Sequence, residues 1–354
     1  MNSLNKGRVI PVLYLIEEKK LMKKITNILL LLLVILLVCA MGFGFYYVQQ
    51  MAKQEDLSKA SPDDLARRYR PSIVYHLQSY PLKRNMSSVL LIGTDNFVDD
   101  DKQNLDDEYY HNSNFADLLL VLVFDHDNKT VTPFQIGRDT MCDVPRVNIA
   151  GEQLVSRYAQ ITYAYTYGTG KEDSCVNTRN CVERLLFQVP IDNYIAFTMD
   201  AVPIVNDLVG GVTVTLENDI PALGKAYVKG AQINLKGKDA LRFVRYRDTS
   251  LMDSNLSRMS NQRLYMNGFT SAAREAAGKD PDLAVKAFKL VTPFIHTDLT
   301  VDHVQRIVDD LLAYELLPFV TPDGEYDLKE GERFPGFYVD EASLWSCVQS
   351  TFCE

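Results

Sequence analysis

The 354-residue sequence contains no internal repeat and no low-complexity tract, which argues against a solenoid or a chain that stays unfolded by composition. It also lacks an excess of positive charge. Over the whole chain 37 Lys and Arg stand against 46 Asp and Glu, and from residue 25 onward 31 basic residues face 44 acidic ones, a formal −13. A surface of that sign does not wrap nucleic acid, so any anion-binding site must be a local basic cluster within an acidic body. The acid-rich stretch 96–114, with Asp99, Asp100, Asp101, Asp106, Asp107 and Glu108, lacks the ligand spacing of an EF-hand. It reads as a solvated loop, with a mobile lid or calcium loop as the lesser alternative. Cysteine is sparse at six residues. Cys39 falls in the apolar N-terminal run. Cys175/Cys181 and Cys347/Cys353 are each six apart, which suggests two local disulfides and leaves Cys142 over. A continuous helix through Cys175 and Cys181 would turn their side chains apart, so that first bridge requires a break.

The one long hydrophobic run is at the N-terminus. Six basic residues precede it within residues 1–24, Ile28 to Val48 carries no charge, and Leu29 to Val38 is entirely Leu, Ile and Val. That length spans a bilayer and exceeds a signal-peptide core, and the flanking lysines put the N-terminus inside. The expected organisation is a cytoplasmic basic tail (1–24), a single transmembrane anchor (25–48), an external stalk (49–85), a main domain (86–277) and a C-terminal helical extension (278–354). The protein is then expected in the cell membrane, single-pass, with its body outside.

Alternating strand and helix patterns after residue 86 predict an α/β fold, a single layered domain with a central mixed β-sheet flanked by helices. Ser87 to Gly93 reads as a buried strand. Leu118 to Phe124 and Thr130 to Ile136 read as an antiparallel hairpin turning at Asp127-Asn128. In that register paired positions sum to 255, so Asp117 lies opposite Arg138 at the sheet edge away from the turn. The bland alternative is an ordinary cross-strand ion pair. Further on, Gln153 to Tyr165 and Val176 to Gln188 look helical. Leu235 to Arg247 begins as a helix and turns β-prone from Phe243, Ser254 to Ala277 is a strong helix, Val301 to Leu317 is another, and Gly336 to Asp340 reads as a strand before a terminal helix from Glu341.

Three groups of polar residues offer complementary chemistry. If the strand ending at Gly93 runs parallel to the one ending at Arg138, the carboxylates Asp95 and Asp117 share an edge with Arg138, where α/β sheets usually bind ligands. Two carboxylates with room for water and phosphate oxygens suit Mg²⁺, or Mn²⁺ in its place. Arg245 and Arg247 would grip one anion together from an extended segment, but would diverge on a continuing helix. Arg258, Asn261 and Gln262 share one helix face.

The motifs carrying these residues resemble the LytR-CpsA-Psr family of cell-wall glycopolymer ligases. They are Leu90-Leu91-Ile92-Gly93-Thr94-Asp95, Ala116-Asp117-Leu118-Leu119-Leu120, Gln135-Ile136-Gly137-Arg138-Asp139-Thr140, the turn Val205 to Val212, the segment Leu235 to Arg247, and a looser helix start with Arg258 and Gln262. Phe115, Gly137 and Asn261 stand where the family favours a basic residue, a proline and an arginine. The resemblance implies a polyprenyl-pyrophosphate-linked saccharide donor with its lipid in an apolar groove, and peptidoglycan or another wall acceptor. It implies Asp95 and Asp117 holding the metal, Arg138, Arg245 and Arg247 gripping the pyrophosphate, and Arg258 and Gln262 orienting it. Asp139 is either the general base or an orienter of an arginine. The competing functions are a pyrophosphatase using water at the same site and a non-catalytic module binding lipid-linked precursors. No nucleic acid is implied.

Overall fold

The computed structural model describes residues 72–95, 112–147, 153–248, 250–330 and 333–354. The expected tail, anchor, most of the stalk and nearly all of the acidic loop lie outside these residues. Among the described residues no helix is long and apolar enough to cross a membrane.

The strands, in chain order, begin with β1 (Ser72–Tyr75), β2 (Gln78–Pro81), β3 (Met86–Thr94), β4 (Ala116–Asp125) and β5 (Thr130–Ile136). They continue with β6 (Met141–Val147), β7 (Gln153–Gln160), β8 (Asn193–Thr198), β9 (Val212–Thr215) and β10 (Gln232–Leu235). The last four are β11 (Ile295–Thr297), β12 (Glu315–Leu316), β13 (Gly324–Asp327) and β14 (Gly336–Val339). The helices are α1 (Glu172–Leu185), α2 (Ala201–Leu208), α3 (Lys238–Arg245), α4 (Ser254–Lys279), α5 (Leu283–Val291), α6 (Val301–Ala313) and α7 (Glu341–Phe352).

Six strands form the central sheet in the order β11-β8-β3-β4-β5-β12. β4 pairs antiparallel with β3 and with β5, and β3 pairs parallel with β8, so the sheet is mixed as expected. Two antiparallel steps make β3 and β5 parallel to each other, which brings their C-terminal ends to one edge. The β4–β5 ladder runs from Asp125 opposite Thr130 to Leu119 opposite Ile136, the register that sums to 255. The turn His126–Lys129 is held by Asp125, whose Oδ1 accepts from the Asn128 backbone N–H at 3.0 Å, and Lys129 sits at φ +53°.

β4 reads as a continuous apolar run because both of its faces are covered. Leu119, Val121 and Val123 pack in one core with Val182 of α1 and Val348 and Phe352 of α7. Leu120, Leu122 and Phe124 pack in another, against Met266 of α4 and Ile307 and Leu311 of α6. A third core joins the β9–β10 hairpin to α2, α3 and α4 through Val212, Val214, Leu235 and Phe243.

Several expectations need correcting. Residues 153–160 form a strand, because β6 supplies antiparallel partners that override local helix preference. The part of the expected stalk from Ser72 onward is a folded hairpin, β1–β2, with Ile73 and Leu82 in the core. The C-terminal extension is not merely helical. It supplies both edge strands of the central sheet, β11 and β12, and β13, which pairs with β14, the strand expected at Gly336 to Asp340. Helix α6 ends at Ala313 rather than reaching Leu317. Neither local disulfide forms. α1 is unbroken through Cys175 and Cys181, α7 carries Cys347 up to its C-cap at Cys353, and the five described cysteines are free thiols.

Candidate functional site

β3 ends where β4 begins, with Thr94 opposite Ala116 across a bulge at Gly93/Thr94, so Asp95 and Asp117 come off neighbouring strands at one edge. Gly93 permits this approach, since a Cβ there would lie 2.9 Å from Leu118 Cβ. Asp117 is nearly buried and ion-pairs through Oδ1 with Arg138 Nη1, and with Arg258 Nη1 at 3.3 Å. Arg258 is itself anchored by Asn255, whose Oδ1 accepts from Nη2 at 2.6 Å and from Nε at 3.1 Å. Burial lowers the pKa of Arg258, while Asp117 works to keep it charged.

Asp139 lies beside this cluster, with Oδ1 3.5 Å from Arg138 Nε and Oδ2 3.4 Å from the Tyr326 hydroxyl, which donates to it. Burial raises its pKa above the ordinary aspartate value, outweighing the pull of Arg138, Arg258 and Arg247. Arg138 and Asp139 share a cavity of about 680 Å³ with Arg247, Phe115, Tyr163 and Gln160. Phe115 occupies the place of the family's basic residue. Its ring lies 5.6 Å from the Arg138 guanidinium and meets Tyr163 edge-on at 5.4 Å.

The two C-terminal arginines of the motif separate. α3 continues through Arg245, two residues past the expected switch at Phe243, and Tyr246 turns extended at ψ 133°. Arg245 therefore meets Asp95, with Nη2 2.8 Å from Oδ1, at a half-exposed position, whereas Arg247 lines the cavity with Asp139. Gln262 also departs from expectation. It lies in a second, apolar cavity of about 320 Å³, walled by Leu91, Leu118, Leu120, Phe197, Val202 and Phe269. Its Oε1 accepts from Gln135 Nε2 at 3.2 Å, and Gln135 Oε1 accepts from Arg263 at 3.1 Å. Asn261 is buried.

Three segments line both cavities: Phe115 and Leu118, Gln135 and Arg138, and Val244 and Arg247 each place one residue in one cavity and a residue three positions away in the other. The sequence reading missed Asn255, Tyr326, Tyr163 and Gln135. The i, i+3 spacing of Asn255 and Arg258 was a usable local signal. Tyr326 arrives from the β13 hairpin and had none.

Among the described residues no group of three or more His, Cys, Asp or Glu gathers to cage a metal. Asp95 Oδ1 is buried and, despite its approach to Arg245, has no aligned hydrogen bond. Two carboxylates of this kind fit a Mg²⁺ ion that takes its remaining ligands from phosphate and water, rather than a fully protein-caged ion.

Solved structures share this fold. Bacillus subtilis TagV aligns with a TM-score of 0.55 at 22% identity, covering 76% of this chain and 96% of that one. TagT bound to LIIa-WTA aligns with a TM-score of 0.56 at 20% identity, covering 79% and 94%. In sequence, the polyisoprenyl-teichoic acid–peptidoglycan teichoic acid transferase TagU of Bacillus licheniformis is 27% identical over 73% of this chain and 74% of its own length. TagV of Bacillus subtilis is 31% identical over 37% of this chain, and the match spans only about a third of that relative, 32%. The model of the LytR_cpsA_psr family matches residues 45–316, most of the chain and all of the residues lining the two cavities except Phe319, Leu328, Phe334 and Pro335, and the chain therefore belongs to the LytR_cpsA_psr family.

Proposed function

We propose that this protein is a membrane-anchored, external phosphotransferase that moves a glycopolymer from a polyprenyl-pyrophosphate carrier to peptidoglycan or a similar wall acceptor. The observation that carries the reading is the abutment of an arginine-rich hollow on an apolar cavity, which matches a donor that is charged at its diphosphate and greasy at its tail. The names of the TagU and TagV relatives and the LIIa-WTA bound to TagT point the same way. The membrane-spanning run at residues 25–48 supports the anchored, external placement.

In this reading Arg138 and Arg247 hold the diphosphate, and Arg245 approaches it from the Asp95 side. Arg258, fixed by Asn255, holds Asp117 and through it keeps Arg138 in place. The acceptor hydroxyl oxygen attacks the sugar-bearing phosphorus, its proton passes to Asp139, and the bond to the polyprenyl phosphate breaks. Burial, which raises the pKa of Asp139, makes it a stronger base than an exposed aspartate. Such a transfer depends mainly on alignment and on stabilising the charge of the transferring group. Asp95 and Asp117 would hold Mg²⁺ or Mn²⁺ against the diphosphate oxygens, which supplies charge neutralisation when the ion is bound. Gln262 lies near the start of the lipid path and orients the donor from there.

The test uses full-length protein in detergent with a polyprenyl-diphosphate saccharide, following polyprenyl phosphate release and transfer to peptidoglycan. Arg138→Ala is expected to lower transfer roughly 10²–10³-fold. Unchanged transfer by that variant overturns the assignment. Release at the full rate without any acceptor identifies a hydrolase instead.

A further inference from the structure

Cys142, left over by the sequence spacing, lies against Cys181. β6 carries Cys142 and α1 carries Cys181, and their sulfur atoms are 3.7 Å apart. Both are buried in the same core, with Cys181 fully enclosed. Cys181 Sγ also lies 3.9 Å from the Asp143 carbonyl oxygen. The other described cysteines are placed differently. Cys175, on α1 with Cys181, is turned toward Tyr165, and Cys347 and Cys353 ride on α7.

We propose that Cys142 and Cys181 form a disulfide in the external protein, a covalent tie between the strand that leaves the arginine cluster and the helix behind it. Only a short side-chain closure separates van der Waals contact of the two sulfurs from bonding distance. The tie has a clear mechanical role. Arg138 and Asp139 lie within four residues of Cys142, and their backbone is held by hydrogen bonds to neighbouring segments. Thr162 N–H donates to Arg138 O at 3.1 Å, Phe337 N–H donates to Asp139 O at 2.8 Å, and Ile161 N–H donates to Thr140 O at 2.7 Å. A bond from Cys142 to α1 adds a covalent anchor to this hydrogen-bonded turn.

The chemistry balances with a disulfide-bearing oxidant, either a thiol–disulfide oxidoreductase or an oxidised low-molecular-weight thiol. One cysteine thiolate attacks the oxidant's S–S bond and displaces a thiolate. The second cysteine then attacks the mixed disulfide and releases the other sulfur as a second thiol. Two electrons pass to the oxidant and two protons leave the cysteines. In the folded body the Cys181 thiol is pushed well above its ordinary pKa, first by its hydrogen bond with Cys142 and then by burial. A thiolate is therefore scarce once β6 and α1 have packed, and oxidation belongs to the folding chain.

The test is mass spectrometry of full-length protein from membranes of producing cells, denatured and alkylated without reductant. The expected result is a Cys142–Cys181 linked peptide, with Cys175, Cys347 and Cys353 alkylated. Alkylation of both Cys142 and Cys181, or linkage of either to another cysteine, overturns the proposal. As a second readout, a reductant should lower the melting temperature of the wild-type protein but not that of a Cys142→Ser/Cys181→Ser variant. A wild-type melt insensitive to reductant also overturns it. The inference shares with the proposed function only the external location. A body shielded from a protease added outside the cell would refute that location, whereas an exposed body with both thiols free refutes the bond alone.

Discussion

Asp117 is the residue on which the charged hollow balances, since two guanidiniums converge on one of its oxygens within a largely buried pocket. Among the described residues, removing it leaves Arg258 with no carboxylate in direct contact and Arg138 with Asp139 alone. Asp117→Ala is therefore expected to destabilise the fold by about 3–5 kcal/mol in urea unfolding. Arg245→Ala, at a half-exposed pair, should cost less than about 1 kcal/mol by the same measurement. Asp139 gives the pH dependence. Because burial raises its folded pKa, its contribution to stability is present below the unfolded aspartate value and is lost as pH rises through the folded value. Its contribution to rate runs the opposite way, since a base must be ionised. Transfer should fall as pH drops through that raised pKa, and Asp139→Asn should remove this acid limb and about 10²–10⁴-fold of the rate. An Asp139→Asn enzyme that keeps both would reassign the residue to orienting Arg138. The legible part of the site was its inventory. Asp117 facing Arg138 followed from one turn and the two-residue period of strands. The separation of Arg245 from Arg247 did not, because it depends on where α3 stops, and Phe243 and Val244 are compatible with either helix or strand when buried against α4.

Among the elements, α4 packs against β9 with no side chain between them at Gly268. A Cβ on Gly268 would lie 2.6 Å from the Thr213 carbonyl oxygen and 2.8 Å from Val212 Cγ1, so the helix touches β9 backbone to backbone. Alanine is the better helix former by about 0.8–1.0 kcal/mol, yet here it must push α4 away from the sheet. Gly268→Ala should lower stability by roughly 1–3 kcal/mol in denaturant titration. Gly137 is the opposite case. It has no positive φ, and a Cβ would meet Asn255, Met259 and Thr140 at an ordinary 3.6 Å. Gly137→Ala should raise stability by about 0.4–1 kcal/mol, measured as a higher melting temperature, by restricting the unfolded chain. Long helices and the β4–β5 hairpin could be read from sequence because their patterns are local. β7 could not, because its hydrogen bonds come from β6 and nothing within Gln153–Gln160 announces that partner.

Across the whole molecule, the segment after residue 277 does more than was legible. Its periodicity showed helices, but β11 and β12 are three and two residues long, too short to carry a pattern. They nonetheless close both margins of the sheet, β11 on β8 and β12 on β5. A chain ending at residue 277 would leave the outer sides of β8 and β5 as rows of unpaired backbone groups. Such a product is expected to self-associate, visible as a shift to large species in light scattering, whereas the full chain stays discrete. The order of synthesis gives this arrangement its meaning. The strands bearing the arginine cluster emerge first, and the pieces that seal them, β11 and β12, emerge well after them. Until then the nascent sheet is sticky on both flanks, so a chain delivered across a membrane before its tail is made should depend on holding factors that mask those flanks.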